Sequence, residues 1–224
     1  MLSSQEIWVG MGDLHGRLDY GSGIMRSLDG GATWDQIGVA AFGANVGVTR
    51  LEVVPGTGGN TVIATLGGGP AWYGDIYRTT NRGVTWTRVL NTSNKAWSGT
   101  SVGAPDVNGV RAIYAISAYY HTPEAFRLYK SMDQGATWTP ITVPGLIVND
   151  YVWSYSVAAS KINPGTVYVM APAERLVLKS DDFGATWTDI TAGMPVASSF
   201  DSQYNWSQYY YNFNVETSTV PAVG

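Results

Sequence analysis

Three acidic residues stand in long polar stretches where carboxylate chemistry is feasible: Asp13, Asp19 and Glu124. Two carboxylates about 5 to 9.5 Å apart can hydrolyse a glycosidic bond, one as the acid and the other as base or nucleophile. Further acids in comparable positions are Asp75, Asp150, Glu174 and Asp201. Nothing in the spacing selects a pair, and acids in polar loops are usually solvated. The first three are therefore candidate catalytic residues, beside the alternative of an ordinary polar surface.

The same stretch contains residue types that bind metal ions. Asp13, His15 and Asp19 stand at i, i+2 and i+6, but the sequence offers no neighbouring residue that would orient them as ligands. A solvated polar loop is the favoured interpretation. We predict no metal site and no cofactor.

Aromatic residues suggest a different chemistry, the stacking of rings on a sugar. Trp97, Trp153 and Trp206 are each followed by serine and precede a β-type run. Other aromatic or imidazole side chains that could join them in a ligand-binding surface are Trp72, Tyr73, Tyr119, Tyr120 and His121. The alternative is that each tryptophan packs between neighbouring structural units, where a large apolar side chain is equally useful.

The elements that must position these side chains are revealed by a repeat. The chain contains Ser27-Leu-Asp-Gly-Gly-Ala-Thr-Trp34, Thr79-Thr-Asn-Arg-Gly-Val-Thr-Trp86, Ser131-Met-Asp-Gln-Gly-Ala-Thr-Trp138 and Ser180-Asp-Asp-Phe-Gly-Ala-Thr-Trp187. We call these segments the first to fourth repeat turns. Their tryptophans, at 34, 86, 138 and 187, are 52, 52 and 49 residues apart by subtraction. A period near 50 residues with short strands in each unit is typical of β-propellers.

Each repeat turn has the composition of a tight hairpin. In the third turn, Asp133 can accept hydrogen bonds from backbone amides and Gly135 can adopt positive φ. We expect Trp138 to start the following strand and to bury its ring. The second turn has Asn81 in place of aspartate, which suits a turn better than a catalytic acid. The positions that we predict to be structural are Ser27, Asp29, Gly31, Thr33, Trp34, Thr79, Asn81, Gly83, Thr85, Trp86, Ser131, Asp133, Gly135, Thr137, Trp138, Ser180, Asp182, Gly184, Thr186 and Trp187.

Four strands, A to D, are predicted in each repeat unit. The β-branched and aromatic runs are 49–54, 61–65, 75–78 and 85–90 in the second unit, 99–104, 111–116, 126–130 and 137–141 in the third, and 153–159, 166–171, 176–180 and 186–190 in the fourth. The first unit begins at its strand B, 6–12, and a surplus strand A is predicted at 209–217. The fold class is therefore all-β, a single propeller domain over 1–224 with blades at about 5–38 plus 209–217, 46–90, 97–142 and 153–190. A fragment or half of a larger propeller is the alternative.

The repeat turns resemble the Asp-box, or BNR repeat, of sialidases, family 74 xyloglucan-active glycosidases, sortilin-type receptors and secreted bacterial propellers. The resemblance covers roughly residues 5 to 217 and implies the propeller fold. It implies no particular activity, because these families share the turn and differ in chemistry. It also implies that the turn is structural and lies away from the functional face. No catalytic residue of these families can be carried over to a position of this chain.

Composition limits the partners. A net charge of −4 and a pI of about 5.0 argue against nucleic-acid binding, and no apolar run is long enough to insert into a membrane. The first six residues have no signal-peptide pattern, although low lysine content favours an extracellular or periplasmic location. The absence of cysteine excludes disulfides.

Strand alternation predicts where function lies. The C–D hairpins, which are the repeat turns, share one face with the A–B turns, whereas the B–C and D–A connections share the opposite face. Because binding residues concentrate on loops held by a rigid scaffold, we expect a recognition or scaffold module that binds a glycan or a protein through aromatic loops on that opposite face. A glycoside hydrolase, or part of one, is the alternative, and a purely structural repeat is a third. On the alternative that the chain is half of a larger propeller, self-association would complete the ring.

Overall fold

The computed structural model describes residues 5–12, 21–43, 45–67, 74–91, 96–119, 126–146, 155–171 and 174–193. Over these residues the chain forms four antiparallel sheets, each built from consecutive strands. The all-β prediction is confirmed, and the sheets are consistent with propeller blades. By their contacts the residues group into two compact units. The first extends to Ser98 and includes Gln134–Thr137, and the second comprises Gly99–Asp133 and the chain from Trp138 onward.

Sheet 1 has three described strands: β1 (Ile7–Gly10), β2 (Ile24–Ser27) and β3 (Asp35–Ile37). The register pairs Ile7 with Ser27 and Gly10 with Ile24, so β2 runs directly into the first repeat turn. The strand predicted at 209–217 to complete this sheet lies outside the described residues.

Sheet 2 has the order β4 (Gly47–Val53), β5 (Val62–Gly67), β6 (Ile76–Thr79) and β7 (Thr87–Leu90). A short helix that the sequence did not predict, α1 (Val39–Phe42), precedes it. The Phe42 side chain of this helix is buried, and its ring centroid lies 4.8 Å from that of Tyr77 and 5.2 Å from that of Trp86. One turn of helix is too short to show the 3.6-residue periodicity by which helices are recognised.

Sheet 3 comprises β8 (Ala96–Pro105), β9 (Arg111–Tyr119), β10 (Leu128–Ser131) and β11 (Thr139–Ile141). Sheet 4 comprises β12 (Ser156–Ala159), β13 (Val167–Ala171), β14 (Leu176–Ser180) and β15 (Thr188–Asp189), followed by the 3₁₀ turn Thr191–Gly193. The predicted strand order A-B-C-D is confirmed in sheets 2 to 4, with most strand ends shifted by a few residues.

Each unit has its own apolar core. In the first unit Ile24, Val48, Ala64 and Leu66 pack together with Phe42. In the second, a larger cluster combines residues of sheets 3 and 4, among them Tyr114, Ile116, Leu128, Val157 and Val169. Apart from Ala64, these residues are β-branched, leucine or aromatic, the residue types that favour strands.

Within single sheets, the structure shows which connections share an end. The fourth residue of three repeat turns donates its backbone N–H to the turn or segment before strand B of the same sheet: Gly30 to Gln5, Arg82 to Asn60 and Phe183 to Gly165, at 2.8, 3.1 and 2.9 Å. The A–B and C–D turns are therefore neighbours at one end of a sheet. The antiparallel register places the B–C connections at the other end.

A repeated polar contact joins one sheet to the next repeat turn. Arg26 donates to the carbonyl of Arg82 at 2.7 Å, and Arg78 donates to the carbonyl of Gln134 at 2.8 Å, both within the first unit. Lys130 donates to the carbonyl of Phe183 at 2.9 Å within the second. Each donor immediately precedes a repeat turn, and each acceptor is the fourth residue of the following one. We call this contact the cation clamp.

Candidate functional site

The carboxylates of the repeat turns, the most conspicuous acids of the sequence, are engaged in local hydrogen bonds. In the first turn, Asp29 accepts from the hydroxyls of Ser27 and Thr33 at 2.8 and 2.6 Å and from the Thr33 amide at 2.9 Å. The Ser27 hydroxyl in turn accepts from the Gly31 amide at 2.8 Å. The fourth turn repeats this network around Asp182. These acids hold the hairpin closed.

The charge state of these acids follows from the same bonds. Hydrogen bonds from Thr33 and Ser27 lower the pKa of Asp29 from 3.8 to about 2, and bonds from Thr186 and Ser180 lower that of Asp182 to about 2. Hydrogen bonding to the ionised form is one of the standard causes of a lowered pKa. A carboxyl group that stays ionised is a poor general acid at neutral pH.

Asn81 makes the same turn without a charge. Its Oδ1 accepts from the Thr79 hydroxyl and the Thr85 amide, each at 2.9 Å, as aspartate does elsewhere. Its Nδ2, however, donates to the Thr85 hydroxyl at 2.9 Å, which reverses the direction of that bond. The turn therefore needs an acceptor and a partner for the threonine, rather than a carboxylate.

Backbone conformation explains the glycine of the repeat. The fourth and fifth residues of every turn have positive φ: 75° and 97° at Gly30 and Gly31, and 61° and 86° at Phe183 and Gly184. A Cβ on Gly184 would also lie 2.9 Å from Ile141 Cδ1. The fourth position accepts a side chain in left-handed conformation, whereas the fifth is additionally crowded in the second and fourth turns, at Gly83 and Gly184.

The prediction that the turn tryptophan starts strand D is wrong by one residue in all four sheets, since the strands begin at Asp35, Thr87, Thr139 and Thr188. The tryptophan remains part of the turn: Trp34 folds back so that Nε1 donates to the Gly31 carbonyl at 3.0 Å. Trp34 is 41% exposed, while Trp86 and Trp187 are half-buried against the cores of their units.

Most of the residues that the sequence predicts for the opposite face lie outside the described residues. These are Asp13, Asp19, Trp72, Tyr73, Tyr120, His121, Glu124, Trp153 and Trp206. Tyr119 is the last residue of β9, at the start of a B–C connection. Trp97 lies in β8 and is fully buried, which matches the packing alternative for the tryptophans.

The second unit contains, at the B–C end of its sheets, a cluster that sequence reasoning identified only through Glu174. The Tyr155 hydroxyl donates to a Glu174 carboxylate oxygen, and the Arg127 guanidinium lies over the Tyr155 ring, 5.4 Å from its centroid. Arg127 and Tyr155 are both almost fully buried. Burial lowers the pKa of Arg127, and the neighbouring Tyr155 and Glu174 oppose that shift.

These three side chains come from three places at the same end of the second unit. Arg127 directly precedes β10, Tyr155 directly precedes β12, and Glu174 lies between β13 and β14. The signal that could have identified Arg127 is a basic residue between Phe126 and Leu128, since an arginine in an apolar run is rarely buried without a partner.

A second polar pair lies at the same end of sheet 2. Arg88 donates to the Asp75 carboxylate at 3.2 Å, across the start of β6. Of the acids that the sequence singled out for the B–C and D–A connections, the two that are described, Asp75 and Glu174, are thus both held by other side chains. Within the described residues no cluster of three or more histidine or acidic side chains could bind a metal ion, and no helix there is long and apolar enough to span a membrane.

No protein-family model matches the sequence, and no curated protein matches it. Solved structures do resemble the fold. The GH74 xyloglucanase of Xanthomonas campestris aligns with a TM-score of 0.53 at 15% identity, over 84% of this chain and 28% of the xyloglucanase chain. At that identity the similarity shows the fold alone, and the chain spans little more than a quarter of the xyloglucanase.

Two further structures align less closely. YCF48 bound to a D1 peptide has a TM-score of 0.35 at 14% identity, over 76% of this chain and 63% of YCF48. A leech intramolecular trans-sialidase has a TM-score of 0.39 at 14% identity, over 74% of this chain and 28% of the enzyme.

Proposed function

We propose that this chain is a non-catalytic recognition module of the Asp-box type that binds a glycan, or a protein, through aromatic side chains of the B–C and D–A connections. The proposed ligand-contacting residues include Trp72 and Tyr73 in one connection and Tyr120 and His121 in another. An extracellular or periplasmic location, inferred from composition, belongs to the same proposal.

The observation that supports recognition over hydrolysis is the engagement of the described carboxylates. Asp29 and Asp182 are bound within their turns, Asp75 is paired with Arg88, and Glu174 accepts from Tyr155. Hydrolysis by two carboxylates needs one that is protonated near neutral pH and one that faces the reacting carbon. Stacking of aromatic rings on a ligand makes no such demand.

A glycan array probed with the full chain tests this proposal. We expect selective binding that is lost in Trp72→Ala and Tyr73→Ala. The matched control is Trp34→Leu, which removes an exposed tryptophan from the repeat-turn face and should leave binding intact. If Trp34→Leu weakens binding as much as the loop variants do, the ligand does not bind through the B–C connections.

Glycoside hydrolysis is a second candidate, favoured by one specific observation. A tyrosine hydroxyl bonded to a glutamate can act as a nucleophile when the glutamate accepts its proton, and some glycosidases use tyrosine in that role. Tyr155 with Glu174 has this arrangement, with Arg127 beside it. Burial of the Tyr155 ring argues against direct access by a sugar.

Assays of wild-type protein on sialyl-lactose and on xyloglucan distinguish the two candidates. Recognition predicts no turnover above a buffer blank. Turnover that disappears in Tyr155→Phe, or in any of Asp13→Ala, Asp19→Ala and Glu124→Ala, would establish the hydrolase and refute the non-catalytic proposal.

A further inference from the structure

The first strand of sheet 1 exposes an apolar stripe. Alternate side chains of a strand point to the same side, and Ile7, Val9 and the following Met11 are 37%, 40% and 38% exposed. We call these three residues the leading face. Trp8, which points to the other side, packs against the second repeat turn, with its ring centroid 6.1 Å from that of Trp86.

The equivalent side chains of the other sheets are covered. The register aligns Ile7 with Val62, Ile113 and Val167, because each is paired with the first residue of its own repeat turn. These three are fully buried, as are Ala64, Ala115 and Val169, the equivalents of Val9. The leading face therefore corresponds to side chains that are buried in sheets 2 to 4 and exposed in sheet 1.

Sheet 4 has the complementary feature on its opposite side. In β13, Tyr168 and Met170 point away from Val167 and Val169 and are half-buried. The equivalents of Tyr168 in sheets 2 and 3, Ile63 and Tyr114, are fully buried, whereas Trp8 of sheet 1 is half-buried like Tyr168. We call Tyr168, Met170 and Lys179 the trailing face.

The cation clamp is the polar contact that accompanies such packing in the other sheets. Arg26, Arg78 and Lys130 each donate to the fourth carbonyl of the next repeat turn. Lys179 holds the same position before the fourth turn but pairs with Asp181 of its own turn, at 2.8 Å. Correspondingly, the carbonyl of Gly30 holds the acceptor position in the first turn, where φ is positive (75°) as it is at the equivalent residues of the other turns (54° to 61°).

We propose that the trailing face of one copy of this chain docks on the leading face of a second copy, with Lys179 exchanging Asp181 for the Gly30 carbonyl of that copy. The contact repeats in trans the arrangement by which Trp8 and Arg26 of sheet 1 meet the second repeat turn. It is a head-to-tail contact, which extends or closes according to the rotation between copies. This proposal is independent of the ligand proposed above.

Sedimentation equilibrium of the full chain tests the proposal. Wild type should associate reversibly, and Val9→Asp should raise the dissociation constant at least about tenfold, because it buries an unpaired charge at the centre of the contact. Val107→Asp is the matched control, since Val107 is 99% exposed on a turn of sheet 3, and it should associate like wild type. A wild-type chain that is monomeric at every concentration overturns the proposal and assigns the leading face to this chain's own residues or to another protein.

Mixing variants separates a damaged contact from damaged folding. Val9→Asp leaves the trailing face intact, and Met170→Asp leaves the leading face intact, so a mixture contains one undamaged pair of faces. The mixture should associate more strongly than either variant alone. If the mixture associates no better than the separate variants, the two faces are not partners and the proposal fails.

Discussion

At the scale of single residues, the repeat turn shows how an acid can be structural. Asp29 and Asp182 accept hydrogen bonds from backbone amides and hydroxyls that the backbone of the hairpin does not pair. Asn81 satisfies the same groups by reversing one bond. The identity of the side chain is therefore set by hydrogen-bond geometry, and its charge is incidental at neutral pH.

This geometry predicts how stability depends on pH. Asp182 has a pKa of about 2 in the folded chain against an ordinary 3.8, so its stabilising effect is complete above the ordinary value and is lost as pH falls toward 2. Asp182→Asn should lessen the loss of unfolding free energy between neutral pH and pH about 2. Urea unfolding of wild type and variant at both pH values measures this difference in unfolding free energy.

Asp182→Ala is the control for this experiment. It removes the acceptor as well as the charge, and should lower stability at neutral pH, where Asp182→Asn changes it little. An unchanged pH dependence in Asp182→Asn would mean that other carboxyl groups cause the acid sensitivity.

At the scale of elements, the cation clamp couples a strand to the following hairpin. Lys130 reaches the Phe183 carbonyl at 2.9 Å and lies 5.8 Å from the Phe183 ring centroid. Burial lowers the pKa of Lys130, while the charge of Asp182 opposes that shift. The Lys130 ammonium group is thus partly removed from water, and its hydrogen bond to the Phe183 carbonyl compensates for the lost hydration.

Removing this donor should destabilise the second unit. Lys130→Met is expected to cost about 0.5–1.5 kcal/mol, the usual net value of such a hydrogen bond, as measured by urea unfolding. Lys130→Arg should retain most of the stability, because Arg26 and Arg78 perform the same contact in the first unit. Equal losses in both variants would show that the clamp contributes nothing specific.

The sequence predicted the elements better than their contacts. The repeat turns show where strand C ends and strand D begins, because serine, aspartate, glycine and threonine have fixed roles in this hairpin. The cation clamp was not predictable, since its acceptor is a main-chain carbonyl and Arg26 lies 56 residues from Arg82. The same applies to Arg127, Tyr155 and Glu174, which approach one another only through tertiary packing.

At the scale of the whole molecule, the described exposure pattern differs between the first sheet and the others. Ile7, Val9 and Met11 are exposed where their equivalents are covered, and contiguous exposed apolar side chains commonly mark interaction surfaces. Self-association would also link stability to protein concentration, because only the folded chain offers both faces.

Thermal unfolding at several protein concentrations measures this linkage. The apparent Tm of wild type should rise with concentration, whereas that of Val9→Asp should not. The exposed control Val107→Asp should follow wild type. A wild-type Tm that is independent of concentration would contradict association of folded chains.

The clamp has a consequence for how this chain can diverge. Its acceptors are the main-chain carbonyls of Arg82, Gln134 and Phe183, three residues whose side chains have nothing in common. The contact tolerates this variety because every residue has a main-chain carbonyl. A substitution at the acceptor position therefore leaves the acceptor atom in place, and the donor position needs only to keep a basic side chain. Repeats joined in this way can drift far apart in sequence while they continue to fit one another.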